Sequence, residues 1–428
     1  MTPNRFNARV AVASLAAASA GLSVVIISLS KILLVFTALV VLLRGKQVTA
    51  EEASWQNMWT PRLILVILFA FAGSLLWTSA PMAQALGAVG KYGKFIAVPA
   101  LLVLLRTRRE ASFALAAFVG AQAFLMISAW LLYFHVPVVW ATSNMAKTSY
   151  AVFSSYLDQG IMSAVVAALF WHLKALAPNR PLFYAAIVMS LLALGSVFIV
   201  FTGRTGQLVG LAMVSLVIFW ALPRRYRLAS LVVPPLIFVL AFFSFDQVRQ
   251  RFSAAETEVS AYATKPESKT SSGIRLYVWQ ASLEVIAKNP LMGTGVGSWV
   301  TEYNRLEHLK PPSHQRLIIG NPHQEFLLWG VQLGVGGTIL LLAFLAGIML
   351  DFQKMDRPVA RAGQSVLLAL AVSCLFNSSL YDAYIGDFFC VSLGVLLAYG
   401  FHGREVSRGS VAAGVVPHLK NEDRLIKT

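Results

Sequence analysis

Asn321-Pro322-His323-Gln324-Glu325-Phe326-Leu327-Leu328-Trp329 is the stretch on which the fold turns. Before it, residues 246–322 are water-compatible; after it, the chain is apolar enough for lipid. Most of the remaining sequence is apolar too: 57% of residues are hydrophobic, 13% are charged, and the net charge is +16. A soluble protein carries about twice that charged fraction. The chain therefore reads as an all-α polytopic membrane protein. Apolar windows of about 17–22 residues each suit one helical crossing. They fall at roughly 10–25, 27–43, 62–79, 86–105, 112–134, 159–175, 182–201, 206–222, 228–245, 324–350, 364–379 and 387–402, about twelve helices. Pro99, Pro234 and Pro235 lie inside these windows, and kinks are expected there.

Lysine and arginine set the orientation. Arg44 and Lys46, Arg106 with Arg108 and Arg109, Arg224 with Arg225 and Arg227, and Lys354 with Arg357 and Arg361 occupy short loops on one side. By the positive-inside rule that side is cytoplasmic, and both termini join it. The division is then 1–245 as transmembrane helices 1–9, 246–322 as a large extracytoplasmic lid loop, 323–403 as helices 10–12, and 404–428 as a polar, poorly ordered cytoplasmic tail. Arg5 and Arg9 precede an apolar run with a signal-peptidase-like Ala18-Ser19-Ala20, but the run continues to about Leu43 and reads as a retained helix. The basic excess fits loops facing anionic membrane lipids. No basic stripe interleaves with aromatics, so nucleic acid is not the expected partner. Cys374 and Cys390 lie in apolar runs and read as buried packing residues.

Within the loop, residues 274–286 show helical apolar spacing, and Asn289-Pro290 stops that helix. Gly293-Thr294-Gly295-Val296-Gly297 follows as a flexible turn, without the strand and helix of a dinucleotide fingerprint. Residues 254–272 are rich in Ser, Thr, Glu and Lys and read as mobile.

A few polar residues at this boundary suit chemistry. His323 can accept a proton from a hydroxyl near neutral pH, or serve only as an interfacial helix-start residue. Asn321, Gln324 and Glu325 flank it and can orient its ring; Glu325 equally suits the positive end of a helix. Arg204 sits in the short break Phe201-Thr202-Gly203-Arg204-Thr205-Gly206-Gln207 between two spans. A guanidinium at that depth is expensive unless paired, so it either snorkels to headgroups or binds a phosphate bidentately. Arg275 lies on the lid helix one turn before Trp279, either solvated or facing a ligand. Lys91 and Lys94 mark the outer mouth of the fourth span and suit either a phosphate or headgroups. No paired carboxylates lie inside the spans for proton coupling, no His/Cys/Asp cluster has metal-ligand spacing, and no Walker, Rossmann or Gly-x-Ser-x-Gly motif occurs. These absences weaken an energised transporter, an ATPase and a lipase.

Four features in order resemble the O-antigen ligase and polymerase superfamily: Gly203-Arg204-Thr205, Arg275 with Trp279, Pro290-Leu291-Met292-Gly293-Thr294-Gly295, and His323 followed by Gly330, Gly334, Gly336 and Gly337. They concentrate between about 200 and 340; Gln324 departs from the asparagine common after the histidine. Within the superfamily the chain is most similar to the ligases. The resemblance implies a C-type glycosyltransferase-like helical fold in the bacterial inner membrane, with its active site on the periplasmic face. It implies inverting transfer of O-antigen polysaccharide from undecaprenyl pyrophosphate to lipid A–core oligosaccharide, without cofactor, metal or ATP. His323 is then the general base, and Arg204 and Arg275, with Lys91 and Lys94, hold the pyrophosphate. Tyr277 and Trp279 either stack on sugar or pack, with packing the expected role of Trp279. The rival readings are an O-antigen polymerase, a ligase acting on protein hydroxyls, and a lipid-linked glycan transporter. A polymerase is expected to carry two sizeable periplasmic loops; here one is large, and 135–158 is moderate.

Overall fold

The computed structural model of the chain describes residues 7–44, 57–232, 271–310 and 318–412, with 236, 239, 243 and 253 as isolated positions. All regular structure among them is helical. The helices are α1 (Ala8–Ser19), α2 (Val24–Leu43), α3 (Trp59–Gly73), α4 (Met82–Tyr92), α5 (Ala97–Leu104), α6 (Arg108–Tyr133), the single turn α7 (Ala146–Ser149) and α8 (Tyr156–Leu173). They continue with α9 (Arg180–Gly195), α10 (Arg204–Ala221), α11 (Ser271–Lys288), α12 (Trp299–His308), α13 (Glu325–Phe352), α14 (Arg357–Phe376) and α15 (Ala383–Ala412).

Ten helical segments among the described residues are long and apolar enough to cross a membrane. This is a polytopic all-α membrane protein. Of the twelve expected spans, 228–245 lies mostly outside the described residues. The first is shorter than expected: α1 has 12 residues, and the chain turns at Gly21 (φ +86) before α2 begins at Val24. The break expected at Pro99 comes earlier. A 3₁₀ turn, Gly93–Ile96, separates α4 from α5, and Pro99 then falls in the first turn of α5, where a missing N–H costs nothing. The last helix runs to Ala412, beyond the tail boundary expected at 404.

Burial orders the bundle. The Ala383–His402 part of α15 has 94% of its apolar window buried and forms the centre, whereas α2 has 22% and lies at the rim. Val25, Leu29, Ile32, Phe36 and Leu43 of α2 are exposed, a surface suited to lipid. Two carboxylates within the spans find partners locally: Lys31 Nζ lies 2.8 Å from Asp387, joining rim to centre, and Asp351 accepts from the backbone N–H of Trp59 and Thr60. At one end of the bundle Arg108 pairs with Asp356 at 3.1 Å and Arg9 donates to Glu110 at 2.9 Å. Two of the basic loops thus share that end. Cys374 and Cys390 are free thiols, both buried.

The lid is built into the bundle. Helix α13 is interrupted at Gly334 (φ 67, ψ −161), which leaves backbone groups without helical partners. The turn after α11 supplies them. Thr294 and Gly295 N–H donate to the Val331 and Gln332 carbonyls at 2.8 and 2.9 Å, and Val335 N–H donates to the Pro290 carbonyl at 2.8 Å. Non-helical backbone at this depth is tolerable because protein covers it. The expected flexible turn is therefore a pinned one. It also receives a helix not expected from the sequence, α12, whose Trp299 stacks on Tyr303 at 5.3 Å.

Candidate functional site

Arg204 opens α10. Gly203 is the N-cap, and Gly206 packs against Gly160 of α8 so closely that a Cβ there would lie 2.9 Å from the Gly160 carbonyl carbon. This contact fixes where the helix begins. The Arg204 side chain is exposed and donates to Ser272 Oγ at 3.3 Å, at the start of the lid helix. Ser272 and Arg275 are three residues apart on α11 and share a face. Arg275 in turn lies close enough to His323 to act on it electrostatically. Three elements thereby bring Arg204, Arg275 and His323 to one end of the bundle: the N-terminus of α10, the lid helix, and the turn before α13.

The His323 turn is tightly held. His323 has φ 51, the left-handed region that non-glycine residues rarely adopt. Its backbone N–H donates to Asn321 Oδ1 at 2.9 Å. Trp279 of the lid donates its indole N–H to the Pro322 carbonyl at 3.1 Å. Gln324 is the N-cap of α13 and accepts the Leu327 N–H at 2.8 Å. Burial, and then the Arg275 guanidinium, hold the His323 imidazole below its usual pKa. It is therefore neutral, and able to accept a proton, further into the acid range than a free histidine.

Two expected participants are placed differently. Tyr277 is buried within the lid, where its hydroxyl donates to Glu307 and accepts from Lys310; stacking on a sugar is not open to it there. Lys94 is also buried, its ammonium donating to the Tyr381 carbonyl at 3.3 Å and to the Asp382 carbonyl. A charge so deep needs those partners, and they take the group out of reach of a pyrophosphate at the surface. Lys91 stays exposed, with its ammonium 4.0 Å from the Tyr381 ring centroid.

The sequence reading missed the six-residue loop 377–382 between α14 and α15. Both lysines touch it, and Ser378 Oγ donates to Asn321 Oδ1 at 3.2 Å. Glu325 binds it too, through the Leu380 and Tyr381 N–H groups. Asp382 at its end has a carboxyl pushed up to about 6, by burial and then by the neighbouring Asp158. The only signal in the sequence was a polar run too short to stand out between two spans.

The arrangement combines a neutral imidazole, two guanidinia and an exposed ammonium at one end of an apolar bundle. Residues 191–342, which contain both arginines and the histidine, match the family model described as O-antigen ligase. Over that segment the chain is similar to the O-antigen ligase family. A Haemophilus influenzae protein described as uncharacterized is 27% identical over 111 residues, 25% of this chain and 27% of that relative. The chain thus aligns with about a quarter of that relative's length.

Proposed function

We propose that this protein is an O-antigen ligase: it transfers O-antigen polysaccharide from undecaprenyl pyrophosphate to a hydroxyl of lipid A–core oligosaccharide. The observation that carries the reading is the meeting of Arg204, the lid helix with Arg275, and His323 at one end of the bundle. In this reaction the acceptor oxygen attacks the anomeric carbon from the face opposite the pyrophosphate, and the configuration inverts. His323 takes the hydroxyl proton as the new C–O bond forms. The bond from the anomeric carbon to the pyrophosphate oxygen breaks, and its electron pair leaves with undecaprenyl pyrophosphate. Arg204 and Arg275 stabilise the charge gathering on that oxygen, with Lys91 beside them. Guanidinia suit the task because they bind phosphate oxygens in pairs. The guanidinia supply the charge that a metal supplies elsewhere, and the donor already carries its leaving group, so neither metal nor nucleotide enters the reaction. In this reading that end of the bundle faces the periplasm from the bacterial inner membrane, with both termini cytoplasmic; the positive-inside pattern supports that orientation.

The test uses purified protein in detergent, undecaprenyl-pyrophosphate-linked O-antigen and lipid A–core, with chelator and no nucleotide. Lipid A–core shifted upward by attached polysaccharide is the expected result. Longer glycan still on undecaprenyl pyrophosphate would replace the ligase with a polymerase. No change in either lipid would favour transport of the glycan.

A further inference from the structure

The His323 turn is gripped from both sides by one short loop, and the second grip is a carboxylate. Glu325, in the first turn of α13, has no exposed surface. Burying a carboxylate is costly unless hydrogen bonds satisfy its lone pairs. Its Oε1 accepts the Trp329 indole N–H at 2.8 Å; its Oε2 accepts the backbone N–H of Leu380 at 2.9 Å and of Tyr381 at 3.2 Å. Two of these three donors belong to loop 377–382, so the carboxylate ties a separate segment to the start of α13. The other grip lies before the histidine, where Asn321 Oδ1 accepts from both Ser378 Oγ and the His323 N–H.

Between the grips His323 holds φ 51. That conformation costs an L-residue about 1–2 kcal/mol and persists only where the surroundings fix it. We infer that Glu325 is a positioning residue, whose carboxylate clamps loop 377–382 onto the His323 turn and so fixes the direction of the imidazole. The inference rests on the ligase reading for its purpose, since a general base must face the attacking hydroxyl. Lys91 and Lys94 hold the same loop through Tyr381 and Asp382, so the clamp also sets the distance between histidine and cations. Releasing it leaves the buried Leu380 N–H without its acceptor, while the Tyr381 N–H keeps the Ser378 carbonyl at 3.0 Å, and it lets His323 relax to negative φ, turning its ring away.

Glu325→Gln keeps the shape but replaces one acceptor oxygen with an NH₂ that faces N–H donors. The test uses full-length protein in detergent with ¹⁵N-labelled histidine rings, the His323 signal being assigned by its loss in His323→Gln. The expected result is a displaced His323 ring signal in Glu325→Gln, and a displacement of the same sign in Asn321→Ala, which opens the other grip. In the transfer assay, kcat should fall about 10- to 100-fold with the donor KM nearly unchanged. A His323 signal and kcat that stay at wild-type values in Glu325→Gln would overturn the inference. If Glu325→Gln no longer unfolds cooperatively, Asn321→Ala decides by the same two readouts. If the wild-type protein transfers no glycan, the ligase reading falls and the ring signal alone decides this inference.

Discussion

Arg275 does two things to the chemistry at the residue scale. It contributes positive charge, and with burial it lowers the pKa of His323. In the proposed reaction the base form of His323 is the active one, so the rate should fall below that lowered pKa and stay high above it. Replacing Arg275 with Gln removes a cation from beside the imidazole. The acid limb of the kcat–pH profile should then move to higher pH, towards the ordinary histidine range near 6.5. Asp382, pushed up to about 6, titrates in the same window and needs its own control. Asp382→Asn should leave the Arg275→Gln displacement in place; if it abolishes that displacement, the limb belongs to the carboxyl. His323, Arg204 and Arg275 stood out in the sequence because each is a polar group where apolar sequence surrounds it. The fates of Lys94 and Tyr277 were hidden, because their partners lie 287 and 30 residues away in the chain.

At the scale of elements, the decisive structure is the break in α13 and the turn that fills it. Gly334 combines φ 67 with ψ −161, a region essentially reserved for glycine. A Cβ there would also lie 2.5 Å from the Pro290 carbonyl oxygen. Gly334→Ala should therefore destabilise the protein by about 3 kcal/mol or more, from backbone strain and overpacking together. Thermal unfolding in detergent would show it as a lowered midpoint, and α11 should become a protease site. A variant with the wild-type midpoint and an uncut lid would mean that the turn does not hold the lid in place. Hydropathy could not reveal this break: the segment stays apolar whether or not its helix is continuous. The lid helix was legible because 274–286 repeats apolar residues at helical spacing and Asn289-Pro290 ends it. Helix α12 was not legible, since its burial depends on Tyr277, Tyr303 and Leu328 meeting across the fold.

Across the whole molecule, long apolar windows carried the fold class, and clustered lysines and arginines support the proposed orientation. Both signals are additive along the chain and need no knowledge of tertiary contacts. Orientation can be checked by labelling with a membrane-impermeant maleimide, after Cys374 and Cys390 are replaced by Ala. A single cysteine at the exposed Lys147 should react from the periplasmic side of intact cells, and one at Lys354 only after permeabilisation; the reverse pattern would invert the topology. The convergence of three segments on one centre was only partly legible. Their order in sequence suggested it, while loop 377–382, which joins the histidine turn to the lysines, carries too few residues to register. In the proposed reaction His323 performs proton transfer at a donor site formed by the arginines. The most direct measurement is single-turnover glycan transfer by His323→Ala, with donor binding measured on the same variant. The expected result is a loss of about 10²- to 10⁴-fold in turnover while donor affinity is kept. Transfer at the wild-type rate, or donor binding lost together with turnover, would contradict it.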